Sequence, residues 1–186
     1  GVPRLGVGEL SRALSTRLKD LRLENRVEAI RGSVVETNNG SIEASEIIVA
    51  TDATTASQLL DLRDIPALVG CTTWYHSAPF APISHGQLIV DGENRGAVIN
   101  TLVISNFIPE YAPVGKNLIS TTTDTGVTES EVRRHLATMY NCDNRDWELV
   151  AKYEIPAALP IGAMAINQPI QTLVREGIYL AGDGQV

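Results

Sequence analysis

The sequence predicts an α+β fold: a mixed, largely antiparallel sheet with flanking helices. Three observations carry that expectation. Between Cys71 and Thr123, strand-like runs follow one another, separated by Gly, Pro and Asn. Asn38-Asn39-Gly40 stands between two short strand-like runs, as a hairpin turn does. Thr128-Glu129-Ser130-Glu131 is a capping box, Thr at the N-cap and Glu three residues on, and it opens a helix.

The elements follow in chain order. Leu10, Ala13, Leu14 and Leu18 share one face of a first helix, with Arg12, Arg17 and Lys19 mostly on the other; Gly6 and Gly8 precede it and permit a tight entry. Strands follow over Asn25–Arg31, Ser33–Thr37 and Ser41–Ala44. Glu46 to Ala50 is a continuous apolar run, suited to a strand covered on both faces. Asp52 then caps a short helix carrying Ala56, Leu59 and Leu60. Asp61, Arg63, Asp64 and Pro66 make a polar link. Beyond it, strands are expected over Cys71–His76, Gly86–Asp91, Ala97–Ser105 and Asn117–Thr123, with Pro79, Pro82, Pro109 and Pro113 confined to edges and connections. The capped helix carries Val132, Leu136 and Met139 or Tyr140 as its apolar stripe. Trp147–Ile155 reads as a further strand, and Ile178–Ala181 as a last one.

Composition narrows the function. The chain has 186 residues, enough for one large domain or two small ones; 44% are hydrophobic and 20% charged, so a buried core is expected and global disorder is not. An excess of 22 acidic over 15 basic residues argues against a nucleic-acid binder. No apolar run approaches a membrane span of about 20 residues, and Gly-Val-Pro-Arg carries no secretory h-region. Cys71 and Cys142 lie in no CxxC and near no His or Cys cluster, so neither a metal site nor a disulfide framework is expected; two semi-buried thiols suit a reducing cytoplasm. His76, His85 and His135 are scattered, and His135, beside Arg133 and Arg134, reads as a surface residue. Ser11 and Ser84 have no nucleophile-elbow context and no partner base.

The most informative motif closes the chain. Ile178–Ala181 runs directly into Gly182-Asp183-Gly184. Glycine there lets a backbone approach a ligand, and a carboxylate just beyond the strand can accept hydroxyl hydrogen bonds. Taken with "GVGELSRALSTRL" (Gly6–Leu18), the block Asn25–Leu60 ending "EIIVATDATTASQLL", the segment His85–Gly126 and "GIYLAGDG" (Gly177–Gly184), the sequence resembles the flavin-containing amine oxidase superfamily. Its protoporphyrinogen oxidase and phytoene desaturase-like branches are the most similar. The blocks stand in the family's order from Gly6 to Gly184, with Asp52 where the family usually has proline.

That resemblance implies a substrate domain of an FAD-dependent oxidoreductase together with remnants of the FAD-binding domain. Residues 1–60 and 174–186 would be FAD-domain segments, and 61–173 the substrate-binding domain. Gly6 and Gly8 lack a preceding strand and a third glycine, so they form no dinucleotide-binding fingerprint. The chain is therefore expected to be an internal-to-C-terminal piece of a longer enzyme, inactive alone and without bound FAD. The resemblance implies cofactor contacts from Val27, Ala50, Thr51, Gly182 and Asp183. Trp74, Tyr75, His76, Asn106, Phe107 and Tyr111 are candidates to line a pocket for a small, hydrophobic substrate. No catalytic acid, base or nucleophile is nominated, because oxidation of an amine or a C–C bond by hydride transfer rests on the flavin. Exposed strand edges could pair two copies into a homodimer, and peripheral membrane association is compatible with the composition. The rival reading is a non-catalytic α+β ligand- or protein-binding module.

Overall fold

The computed structural model describes residues 3–62, 67–161 and 172–182. In chain order the elements begin with α1 (Gly8–Ser15), β1 (Val27–Arg31), β2 (Val34–Thr37), β3 (Gly40–Glu43), β4 (Ile47–Val49) and α2 (Ala53–Leu60). Next come β5 (Ala67–Ala78), β6 (Ile89–Val90), β7 (Val98–Val103) and β8 (Asn117–Thr123). α3 (Glu129–Tyr140), β9 (Glu148–Ile161), β10 (Leu173–Arg175) and β11 (Ile178–Leu180) complete the set. The result is an α+β fold with mainly antiparallel sheets and few helices. It divides into two compact units, one of residues 1–18 and 69–158, the other of 19–68 and 159–186.

The first unit is built on a five-stranded sheet in the order β6-β7-β8-β5-β9. Alternation along β5 sends Thr72, Trp74, His76 and Ala78 to the buried face, and Thr73, Tyr75 and Ser77 to the opposite, half-buried one. Register carries the same two faces across to β8: Trp74 stands opposite Thr121 and His76 opposite Ile119, while Tyr75 stands opposite Ser120. α3 supplies Val132, Leu136 and Tyr140 to the core that holds Trp74, Val98, Val103, Ile119 and Trp147. Three of the buried threonines, Thr101, Thr121 and Thr123, are satisfied in place, whereas the Thr72 hydroxyl has no partner among the described residues. Thr101 Oγ1 lies 3.0 Å from both Thr121 Oγ1 and Tyr140 Oη, and Trp74 Nε1 donates to Thr123 Oγ1 at 3.0 Å.

The predicted capping box is present. Thr128 Oγ1 accepts from Glu131 N, and Glu131 Oε2 accepts from Thr128 N at 2.8 Å. Replacing Thr128 by alanine removes the hydroxyl half of that exchange and leaves the main-chain N–H of residue 128 to Glu131. A stability loss of about 1 kcal/mol is expected, read as a lowered urea midpoint with unchanged slope.

Residues 3–18 group with the strand-rich unit. The ties are local: the Tyr111 hydroxyl donates to Pro3 O at 2.9 Å and Arg4 pairs with Glu110 at 3.8 Å. The leucine stripe of α1 is present but stays exposed, and α1 buries none of its residues. Of the strand expected over Gly86–Asp91, only Ile89–Val90 forms. Ile104 and Ser105, expected to extend β7, instead fall in a single 3-10 turn over Ile104–Asn106.

The second unit joins a three-stranded antiparallel sheet, β1-β2-β3, to a three-stranded sheet in the order β10-β11-β4, with α2 against β1. Its core is Ile30, Ile47, Val49, Ala56, Leu60 and Ile178. The Asn38-Asn39-Gly40 turn joins β2 to β3 as expected, with Gly40 at φ +118°. Asp52 caps α2 by accepting from Thr55 N at 3.0 Å.

Candidate functional site

Two strands far apart in the sequence end side by side in the second unit. β4 and β11 pair in parallel, Ile47 with Ile178, Ile48 with Tyr179 and Val49 with Leu180. The pair is clamped at both ends: Ile47 N donates to Gly177 O at 2.8 Å and Ala181 N donates to Val49 O at 2.9 Å. β4 is covered on one face only, since Ile47 and Val49 are buried while Ile48 is 69% exposed. This corrects the expectation of a strand covered on both faces.

Just beyond the strand ends the chain opens to solvent. Ala50, Thr51 and Gly182 are all exposed there. Gly182 sits at φ +145°, a conformation that side-chain-bearing residues rarely adopt, and a Cβ placed on it would lie 3.7 Å from Thr51 O. The structure therefore brings together Ala50, Thr51 and Gly182, three of the five residues to which the resemblance gives cofactor roles. Val27 opens β1, half-buried against the same core, with Asn38 Oδ1 accepting from the neighbouring Arg26 N at 2.8 Å. Asp183 lies outside the described residues.

The carboxyl ends of adjacent parallel strands are where α/β proteins hold ligands. What this edge can offer is main chain. The nearby α2 N-terminus is not a free anion site, because the Asp52 carboxylate already occupies it. Hydrogen bonds from the Thr55 hydroxyl and main-chain N–H hold that carboxyl below its ordinary range. The edge presents an exposed, uncharged backbone with a glycine at positive φ.

The six residues proposed for a substrate pocket do not form one group. Trp74 and His76 face the core beneath α3, 2% and 0% exposed, because alternation along β5 sets them opposite to Tyr75. Tyr75 lies on the other face, its ring edge-on to Tyr153 at 6.1 Å. Asn106 ties its own turn to the 83–85 segment, donating to Ile83 O at 2.7 Å and His85 O at 3.1 Å. Phe107 is exposed, and the Tyr111 hydroxyl is committed to Pro3.

One constellation escaped the sequence reading. His135 is not a surface residue; it is 5% exposed. Its Nδ1 accepts from Val98 N at 2.9 Å, which leaves Nε2–H to donate to Asp91 Oδ2 at 2.9 Å. Asp91 also accepts from Arg95 N, Glu93 N and Arg95 Nε, and these bonds, the Arg95 main-chain N–H foremost, pull its carboxyl down to about 2. Both imidazole nitrogens are engaged, so the pair locks the turn between β6 and β7 and offers no free base. Its signal in the sequence was slight: His135 lies one residue from Leu136 and three from Val132, on the buried side of the helix. Among the described residues, no group of three or more His, Cys, Asp or Glu side chains could hold a metal ion, and no helix is long and apolar enough to cross a membrane.

Comparison with known proteins gives a consistent picture. The model of the flavin containing amine oxidoreductase family matches residues 1–185. A search of curated proteins finds no match. Among solved structures, a protein of Exiguobacterium sp. 255-15, provisionally named a protoporphyrinogen oxidase, is similar with a TM-score of 0.78 at 17% identity, over 96% of this chain and 46% of that one. An oxidoreductase from Methanosarcina mazei is similar with a TM-score of 0.57 at 16% identity, over 86% of this chain and 43% of that one. Glycine oxidase from Geobacillus kaustophilus is similar with a TM-score of 0.54 at 14% identity, over 96% and 47%. At these identities the likeness is one of fold. The chain spans less than half the length of each of these structures.

Proposed function

The chain belongs to the family of flavin-containing amine oxidoreductases, and on that premise we propose that it is part of an FAD-dependent enzyme that oxidises an amine or a C–C bond of a small, hydrophobic substrate. The observation that carries the reading is the parallel pairing of β4 with β11, which sets Ala50 and Thr51 beside Gly182. These residues, with Val27 and Asp183, would hold the cofactor. Bound there, the flavin supplies the acceptor for a two-electron oxidation, chemistry that no side chain of this protein can perform.

The protein's own contribution is to bind, orient and exclude water. Ala50, Thr51 and Gly182 contribute exposed backbone at the strand ends. The open face of the five-stranded sheet, with Tyr75, Tyr153, Leu102 and Leu118 among small polar side chains, suits an apolar substrate with few polar groups. On this reading Trp74 and His76 support that face from behind.

The test uses the full-length protein. It is expected to purify yellow, with a flavin absorption spectrum. The Gly182→Val variant is expected to lose affinity for FAD by roughly tenfold or more, because the side chain both strains the backbone and fills the approach. A colourless full-length protein that binds no added FAD would overturn the reading in favour of a non-catalytic binding module. Retention of FAD by Gly182→Val at wild-type affinity would remove Gly182 from the site.

A further inference from the structure

We infer that the buried His76, with both ring nitrogens unpartnered, makes the contact between β5 and the first turn of α3 sensitive to acid. His76 is fully buried, and neither ring nitrogen has a hydrogen-bond partner among the described residues. Nε2 lies 3.7 Å from Glu129 Oε1, just beyond hydrogen-bond reach. That same oxygen accepts from Arg133 Nε at 2.6 Å. Arg133 cannot follow it, because its other nitrogens donate to Asn144 O at 3.0 Å and Trp147 O at 2.8 Å. One carboxylate oxygen is thus held by a permanent cation while an uncharged imidazole waits beside it.

The surroundings make the neutral ring the stable one. From α3, Glu129 and Arg133 are the charged groups that face it. From the segment after α3 comes the uncharged Trp147 ring, tilted at 6.2 Å, and from β8 the apolar Ile119 opposite. Burial chiefly, and the Arg133 charge next, lower the His76 titration to about 4; Glu129 opposes them only in part.

A proton on His76 would therefore place a second cation beside a fixed guanidinium, with a single carboxylate to share. The imidazolium can only compete with Arg133 for Glu129, so the buried cation is relieved when the first turn of α3 lifts and lets water reach the ring. The sign follows from proton counting. Between the free-imidazole value of 6.5 and about 4, the loosened state binds the proton and the docked state does not. Acid thus favours loosening, and docking is fully restored above 6.5. The consequence spreads along the helix, because α3 also carries His135, which holds the β6–β7 turn, and Tyr140, which holds Thr101.

Native-state hydrogen exchange on the full chain tests this. After correction for intrinsic exchange chemistry, protection of the α3 amides is expected to fall by up to about tenfold for each pH unit below about 6.5. The β1–β2 amides serve as an internal reference and are expected to hold. His76→Gln is expected to flatten the α3 response. In case that variant folds poorly, the His76 ring is followed by NMR in the wild-type chain, where it is expected to stay neutral well below pH 6. Constant α3 protection down to about pH 5, or a His76 ring that titrates like a free imidazole, would overturn the proposal.

Discussion

Replacing His135 by alanine is expected to destabilise the protein by about 3–5 kcal/mol. The loss has three parts. The Asp91 carboxylate, with its side chain 2% exposed, loses the Nε2–H donor that reaches it across the helix–hairpin contact. The Val98 N–H loses its only partner of that contact, the Nδ1 at 2.9 Å. The ring also leaves a cavity under Gly96, whose backbone is so close that an added Cβ would meet His135 Cγ at 2.6 Å. A surface histidine, as the sequence suggested, would change stability by no more than about 0.5 kcal/mol, so urea unfolding separates the two views cleanly. A double-mutant cycle sharpens it. Gly96→Ala alone is expected to cost about 1–3 kcal/mol through overpacking, and most of that cost should vanish when His135 is already alanine. Additive effects would show that the ring and the glycine are not in contact.

Replacing Leu136 by alanine is expected to cost about 3 kcal/mol. Leu136 is fully buried and packs in the cluster that includes Trp74, Val103, Ile119 and Trp147. A β-sheet and a helix meet there, so the surrounding backbone has little freedom to collapse into the space. The paired control is Leu14→Ala on α1. Leu14 is 56% exposed, and its truncation is expected to move the urea midpoint by less than the equivalent of about 0.5 kcal/mol. Equal effects at the two leucines would contradict the packing described for either helix.

The elements that local chemistry specifies were legible in the sequence. β8 forms over Asn117–Thr123 as read, α3 opens at its capping box, α2 opens at Asp52, and the Asn-Asn-Gly turn makes its hairpin. Each rests on a few neighbouring residues. What escaped depends on partners distant in the chain. His135 reads as polar and charged company, yet its burial is decided by Asp91 and Val98, which arrive from another hairpin. The stripe of α1 has the spacing of a buried face, but spacing does not say whether anything covers it. The alternation that separates Trp74 and His76 from Tyr75 was readable from the strand itself, and grouping all three by aromatic character overrode it. At the candidate site, the motifs at Ala50-Thr51 and Gly182 were each visible, whereas their adjacency comes only from the β4–β11 pairing.

That pairing also sets an order of events during synthesis. A ribosome releases β4 early, yet its partner β11 emerges only after residues 69–158, the bulk of the first unit, have been made. Until then Ile47 and Val49 have no Ile178 to close over them, and the free edge of β4 is open to other chains. Closing so long a loop is entropically slow to begin and costs little more for each added residue. The second unit is therefore a late assembler by construction, closed only when β11 arrives, while the first unit can collect its core as it is translated.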